Sequence, residues 1–266
     1  MNNKISFTTM ATPELDISAQ AAVAREYRFD GVDLRIIEKG RGEIPPDLTQ
    51  EQADEILHQF ADIEISSLMC YNKNIGNGHE EMVESILNGI RIAKLLKTPL
   101  IRIFSGRIET EENMNALVTA LKAVLERDDS SIKIGIQNHV NHISALQTIE
   151  VCERINSPRV GIILSPDQSV ARDEDYVPLL PRAAIHTFQL YVADKNPDKS
   201  FVLIGTGTID NARNLRVLRE NGFDGYVTLK WEKVWIPELP DYPEGMRSFL
   251  TYLQEHCGYQ GQRKTN

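Results

Sequence analysis

Two charged side chains follow the strand-like segment Tyr226–Leu229, in the order Lys230-Trp231-Glu232. A lysine at the end of a strand can bind an anionic substrate group. It can also attack a carbonyl carbon when neighbouring cations lower its pKa. A third interpretation is a structural ammonium paired with Asp194 or Glu232. Anion binding, covalent chemistry and a structural ion pair all stay open at the level of the sequence.

A histidine closes the polar segment Gln137-Asn138-His139, which ends another strand-like run. Because imidazole changes charge near neutral pH, His139 is a candidate general acid or base, or a hydrogen-bond donor to a substrate. His142, three residues later, is instead interpreted as an N-terminal position of the next helix.

Two arginines, Arg35 and Arg102, occupy strand-like segments, where burying an unpaired cation is unfavourable. They can recognise a carboxylate, a phosphate or sugar hydroxyl groups. For Arg102, the alternative is an internal ion pair with Asp33. Trp231 and Trp235 can stack on a sugar ring, although packing is the more usual role of such residues.

The elements that position these residues alternate between short apolar runs and amphipathic segments. The helical segments are predicted at 16–28, 50–61, 80–96, 111–127, 143–155, 212–220 and 245–256, from apolar residues recurring at helical spacing. Eight strand–helix units that follow one another without interruption favour a closed parallel (β/α)8 TIM barrel of the α/β class, in a single domain over residues 1–266. The eight strands are predicted at 5–10, 31–35, 63–69, 100–106, 132–139, 160–166, 185–194 and 225–231.

Alternation along the strands assigns their two faces, since successive strand side chains point to opposite sides. Phe188, Leu190 and Val192 are expected to face outward toward the helices. By the same alternation, side chains expected to face the barrel interior are Asp33, Arg35, Arg102, Gln137, His139, Ser165, Gln189 and Tyr191. A slip of one residue would invert each assignment.

Composition excludes several classes of function. The chain has 266 residues and a formal net charge of −9. A negatively charged protein repels nucleic acids and anionic membranes on average, which disfavours a protein dedicated to binding either. No apolar run reaches the length of a membrane span, and the first residues lack the apolar region of a signal peptide. The three cysteines lie far apart, without a C-x-x-C motif. We therefore expect a cytoplasmic protein.

Six short sequence segments, in the same order along the chain, resemble segments of the xylose isomerase-like sugar isomerase and epimerase barrels. The resemblance covers nearly the whole chain and implies the same barrel fold. The segments are Gly31–Arg35, Ile101–Gly106, Gln137–His139, Val160–Pro166, Gly205–Asp210 and Thr228–Glu232.

The resemblance also implies where a divalent metal would bind in such a family member. Family ligands are a glutamate, an aspartate, a histidine and a glutamate, which match Gln137, Ser165, Tyr191 (or Gln189) and Lys230. Hard divalent cations prefer anionic oxygen ligands, and these positions now carry an amide, hydroxyl groups and a cation. We therefore expect no metal and no other cofactor, so that the family's metal-assisted proton transfer does not carry over.

Two hypotheses follow from these residues. The first is a metal-independent isomerase, epimerase or Schiff-base lyase that uses Lys230, His139, Tyr191 and Asp194, the last matching a family aspartate. Arg35, Gln137, Ser165, Trp231 and Glu232 would then bind the substrate. The second is a non-catalytic, sugar-binding regulatory protein of the same fold. In both, the partner is a small carbohydrate, and self-association into a homo-oligomer stays open.

Overall fold

The computed structural model describes residues 1–37 and 42–261. Its strands are β1 (Ile5–Thr8), β2 (Gly31–Ile36), β3 (Glu64–Cys70), β4 (Leu100–Ile103), β5 (Lys133–Gln137), β6 (Val160–Leu164), β7 (Thr187–Val192), β8 (Asp194–Lys195), β9 (Phe201–Val202) and β10 (Tyr226–Leu229). All except β8 and β9 form one closed barrel, in the spatial order β1-β10-β7-β6-β5-β4-β3-β2. The predicted (β/α)8 barrel is confirmed. The predicted domain, 1–266, includes residues 38–41 and 262–266, which lie outside the described residues.

Nine α-helices lie within the described ranges. They are α1 (Ile17–Glu26), α2 (Gln50–Gln59), α3 (His79–Leu95), α4 (Glu111–Arg127), α5 (Ala145–Ile155), α6 (Pro166–Ala171), α7 (Leu180–Ala184), α8 (Asn211–Glu220) and α9 (Tyr242–Cys257). Five of them begin after an Asp, Ser or Thr whose side chain accepts a backbone N–H of the first turn. The seven predicted helices are confirmed, whereas α6 and α7 are too short for a periodic pattern. Across the described chain, each helix is too short or too polar to cross a membrane.

The strand side chains divide as the alternation predicts, with one exception. Ile134, Ile136, Leu190 and Val192 belong to the main core between strands and helices. Phe188 was predicted to face the helices with them, and this is wrong. It packs instead against a small cluster of Leu100, Ile163 and Tyr191.

A β-bulge explains the position of Phe188. Ile162 pairs with Thr187 and Ile163 pairs with Gln189, so that Phe188 is the extra residue on β7. A bulge breaks strict alternation locally, because two residues of one strand face a single residue of its neighbour.

A two-stranded hairpin follows β7 and was not predicted. β8 and β9 pair in antiparallel fashion, with Lys195 opposite Phe201. The hairpin continues from the carboxyl end of a barrel strand, and it therefore adds wall to the face where barrel active sites lie.

Candidate functional site

A cavity of about 430 Å³ lies at the carboxyl ends of the barrel strands. Four of the predicted site residues line it, namely Lys230, His139, Gln137 and Glu232. The other lining residues include four aromatic side chains and two further cations, which are Tyr71, Phe104, Phe201, Trp235, Arg102 and Lys195.

The Lys230 ammonium is held between two carboxylates. Its Nζ lies 2.7 Å from Asp167 Oδ2 and 2.8 Å from Glu232 Oε1. Burial alone would favour the neutral amine, but the two carboxylates outweigh it and raise the pKa of Lys230. Lys230 is therefore a cation at neutral pH. The predicted pairing with Glu232 is confirmed, while the alternative partner Asp194 is replaced by Asp167.

Asp167 reaches Lys230 because α6 begins immediately after β6, at the mouth of the barrel. Pro166 occupies the first helical position, where its missing N–H has no consequence. The Ser165 hydroxyl donates to Asp167 Oδ1 at 2.7 Å, and the Gln168 amide donates to Oδ2 at 2.8 Å. These bonds and the Lys230 charge together lower the pKa of Asp167 despite its complete burial.

His139 lines the cavity as a neutral imidazole. Burial first, and then the neighbouring charge of Lys230, lower its pKa to about 3. Its Nδ1 accepts the backbone N–H of Asn141 at 3.2 Å, which assigns the proton of the neutral ring to Nε2. In this tautomer His139 retains one N–H donor and is a weak base at neutral pH.

Aromatic rings group around Phe104 in the wall. His142 stacks on Phe104 at 4.6 Å between centroids, and His139 meets the same ring edge-on at 5.2 Å. His142 thus lines the cavity, which corrects its interpretation as an N-terminal residue of the next helix. Tyr71 contacts both Phe104 and Trp235, whose side chain is 59% exposed.

Arg102 faces the interior as predicted, but its partners differ from the prediction. Its guanidinium lies 4.2 Å from the Phe104 centroid and 5.1 Å from that of Tyr71. The expected ion pair with Asp33 is not formed in the described part of the chain. Asp33 Oδ2 instead accepts the Tyr191 hydroxyl at 2.6 Å, and burial raises the pKa of Asp33 to about 6.

Five predicted site residues lie outside the cavity lining. Ser165 and Tyr191 are buried and are hydrogen-bonded to Asp167 and Asp33, respectively. Trp231 is buried and donates its indole N–H to the Pro240 carbonyl at 2.9 Å, so it cannot stack on a ligand in this cavity. Ser165 still touches the lining, because its hydroxyl accepts the Gln137 amide at 3.4 Å.

The remaining two of the five, Arg35 and Asp194, are occupied by other groups. Arg35 forms a buried ion pair with Glu43. The Asp194 carboxylate accepts four backbone N–H groups, at 2.9 to 3.1 Å, from Lys195, Gly205, Gly207 and Ile209. Asp194 therefore organises a loop, and it is not placed to remove a proton from a ligand in the cavity.

The residues matched to the family's metal ligands do not fit a divalent cation. The Gln137 amide donates to Ser165, Tyr191 donates to Asp33, and the Lys230 ammonium fills the space between the nearest carboxylates. Throughout residues 1–37 and 42–261, there is no group of three or more His, Cys, Asp and Glu residues that could hold a metal.

Asp167, Lys195 and Phe104 are site residues that the sequence reasoning did not single out. A signal existed for Asp167, which stands two residues beyond Ser165 and directly after a barrel strand. Lys195 and Phe104 gave no comparable signal, because their place in the wall depends on the hairpin and on the packing of separate loops.

The solved structures similar to this chain share its barrel. The "IOLI protein with a binding zinc atom" has a TM-score of 0.78 and 17% identity over 97% of this chain and 100% of that one. The 3-keto-D-glucoside 4-epimerase YcjR from E. coli has a TM-score of 0.71 and 13% identity, over 95% of this chain and 99% of that one. A probable 3-DHS dehydratase, AsbF from Bacillus anthracis, has a TM-score of 0.72 and 14% identity, over 93% of this chain and 98% of that one.

At these identities the neighbours establish the fold alone. No curated protein sequence matches the chain. The family model described as "Xylose isomerase-like TIM barrel" matches residues 21–253, which is most of the chain and includes all the lining residues named above. The chain therefore belongs to the xylose isomerase-like TIM barrel family.

Proposed function

We infer that the cavity binds a small polyhydroxylated acid, such as a sugar acid, and supports isomerase or epimerase chemistry without a divalent metal. The observation that carries this proposal is the Lys230 ammonium between Asp167 and Glu232. A cation built into the chain stands at a position that matches a metal ligand of the family. Its ion pairs are buried, so a free metal ion would have to displace it to reach the same carboxylates.

The preference for an acid comes from the remaining charges of the wall. Asp167 and Glu232 more than neutralise Lys230, whereas no carboxylate of the described residues lies within ion-pair distance of the Arg102 guanidinium, which contacts the Tyr71 and Phe104 rings. Arginine donates in a planar fork that suits a carboxylate or phosphate. We therefore assign the recognition of the ligand's anionic group to Arg102.

The aromatic wall suits the carbon skeleton of a sugar derivative. Tyr71, Phe104 and Trp235 form a contiguous series of ring contacts, at 6.0 and 6.4 Å between centroids. Aromatic faces bury the apolar C–H groups of a ligand, while polar groups fix its orientation. Gln137, Gln168 and the Nε2–H of His139 are the nearby polar groups for hydroxyls.

The chemistry available is proton transfer next to a carbonyl group. Glu232 is a carboxylate in the cavity wall and serves as the base, and the fixed cation of Lys230 stabilises the negative charge that develops on the carbonyl oxygen. His139 donates a hydrogen bond, because its low pKa keeps the ring neutral.

A non-catalytic binding protein is the second candidate, and one observation favours it. Lys230 is paired with both Asp167 and Glu232, and Tyr191 donates its hydroxyl to Asp33 below the cavity. Fully paired groups bind a ligand through shape and through Arg102, with no acid–base pair left free.

Two measurements test the proposal. Isothermal titration calorimetry of D-gluconate and D-glucose, with elemental analysis of the same sample, should show tighter binding of the acid at sub-stoichiometric metal. Equal affinities, or one firmly bound divalent ion per chain, would contradict it. Deuterium exchange of D-glucuronate in D2O, followed by NMR, then separates the candidates, since only an enzyme exchanges the proton next to the carbonyl.

A further inference from the structure

Lys195 is a second lysine in the cavity wall, and its surroundings differ from those of Lys230. Its Nζ donates to the Lys199 carbonyl at 2.8 Å and lies 3.6 Å from the centroid of the Phe201 ring. In the described part of the chain, no carboxylate lies within ion-pair distance of this ammonium. Lys195 therefore lacks the close carboxylates that hold the charge on Lys230.

The backbone that carries Lys195 is fixed by Asp194. The carboxylate accepts the N–H of Lys195 itself and three more from the loop after β9. Gly207 is required there, because a Cβ at this position would lie 2.3 Å from Asp194 Oδ1. A buried acid, a hairpin and a glycine thus hold one side chain in the wall, which is the preorganisation that a reactive group needs.

The charges around Lys195 favour its neutral form. Burial is the largest influence and lowers the pKa of Lys195; the Lys230 charge acts in the same direction. Asp167 and Glu232 oppose this lowering, and the Phe201 ring also favours a cation. The balance remains a lowered pKa, whereas the pKa of Lys230 is raised.

We propose that Lys195 is a nucleophilic amine that forms an imine with the carbonyl group of a ligand in this cavity. The Lys195 nitrogen lone pair attacks the carbonyl carbon, and the C=O π electrons move to oxygen, which takes up a proton. The nitrogen gives up one of its two protons, so that the addition product is a neutral carbinolamine. The hydroxyl group then takes up one further proton and leaves as water while the C=N bond forms, which leaves a protonated imine. Glu232, in the same wall, is the group that relays these protons.

The substrate class follows from this step. The ligand is a 2-keto acid or another carbonyl compound that also carries an anionic group, for which Arg102 is the binding partner. The inference rests on the proposed function only in sharing its cavity. It assigns the covalent step to Lys195, while Lys230 remains the fixed cation that keeps the neighbouring amine neutral.

Reductive trapping tests the proposal directly. The full chain is incubated with pyruvate and sodium cyanoborohydride, which reduces an imine to a stable secondary amine. Intact mass spectrometry should show one reduced pyruvate per chain, and peptide mapping should place it on Lys195. Labelling at Lys195 should exceed that of the exposed lysines by about tenfold for each unit by which its pKa is lower.

Two variants serve as controls. Lys195→Arg keeps a long basic side chain that cannot form an imine, and it should lose the adduct. Lys199→Arg alters the neighbouring lysine, whose side chain pairs with Asp173, and should retain the adduct. Modification of Lys230 in preference to Lys195, equal labelling of wild type and Lys195→Arg, or no adduct at all would each overturn the proposal.

D-gluconate separates this inference from the proposed function, because it is a sugar acid without a carbonyl group. Gluconate binding without a pyruvate adduct leaves the proposed function standing and overturns the imine step. If pyruvate forms an adduct on Lys195 and excess gluconate does not reduce its yield, the result supports a nucleophilic Lys195 and contradicts sugar-acid binding in this cavity. Peptide mapping of the wild type gives the decisive result even if Lys195→Arg folds poorly.

Discussion

Replacement of Lys230 by methionine should strongly destabilise the barrel, because it leaves two carboxylates without their cation. Lys230 and Asp167 side chains are 2% and 0% exposed, so water cannot replace the lost partner. Removal of one member of a buried ion pair typically costs about 3–5 kcal/mol. Asp167 retains its bonds from Ser165 and Gln168, and we therefore expect a loss at the lower end of that range.

The pH dependence of this loss follows from the two pKa shifts. In the wild type the pKa of Asp167 is lowered, so its stabilisation is present above the ordinary value of 3.8 and is lost as the pH falls through the folded value. The pKa of Lys230 is raised, so its contribution is present below 10.5 and is lost as the pH rises through the folded value. In Lys230→Met, only the bonds from Ser165 and Gln168 oppose burial at Asp167, and the pKa of Asp167 should rise. The variant's deficit should therefore shrink on acidification.

Urea unfolding of wild type, Lys230→Met, Asp167→Asn and the double variant, at two pH values, measures these effects. The double variant should be more stable than Lys230→Met at neutral pH, since the asparagine removes the uncompensated charge. Lys199→Met breaks the exposed pair with Asp173 and should change the free energy of unfolding by about 0–1 kcal/mol. Equal losses for Lys230→Met and Lys199→Met, or a deficit that grows at acid pH, would refute the reasoning.

Three further predictions concern Arg102, Asp33 and His139. Arg102→Gln should weaken D-gluconate binding about tenfold, or about 1.4 kcal/mol, and leave D-glucose binding unchanged by calorimetry; an equal loss for both would remove its role in anion recognition. Asp33→Asn should gain stability relative to the wild type as the pH rises through about 6, because ionisation of the buried carboxyl is unfavourable in the folded state; parallel pH profiles in urea would contradict this. NMR of His139 should show a neutral ring with its proton on Nε2 between pH 5 and 8, because burial lowers its pKa to about 3; a midpoint near 6.5 would contradict it.

The period of the apolar residues was sufficient to predict the barrel. Alternation on β5, such as Ile134 and Ile136 outward with Gln137 inward, depends only on the geometry of a strand. The parallel barrel then places every strand's carboxyl end on one face, so that the sequence alone assigns Lys230, His139, Gln137 and Glu232 to one mouth.

Pairing inside the mouth was decided by the tertiary structure alone. Asp167 competes for Lys230 because of how α6 turns after β6, and Asp33 prefers Tyr191 because the two meet across the barrel. The bulge at Phe188 and the hairpin that carries Lys195 break the local period that sequence reasoning relies on. Periodicity reports which face a side chain takes, whereas its partner depends on distances between segments far apart in the chain, and these exist only once the barrel has closed.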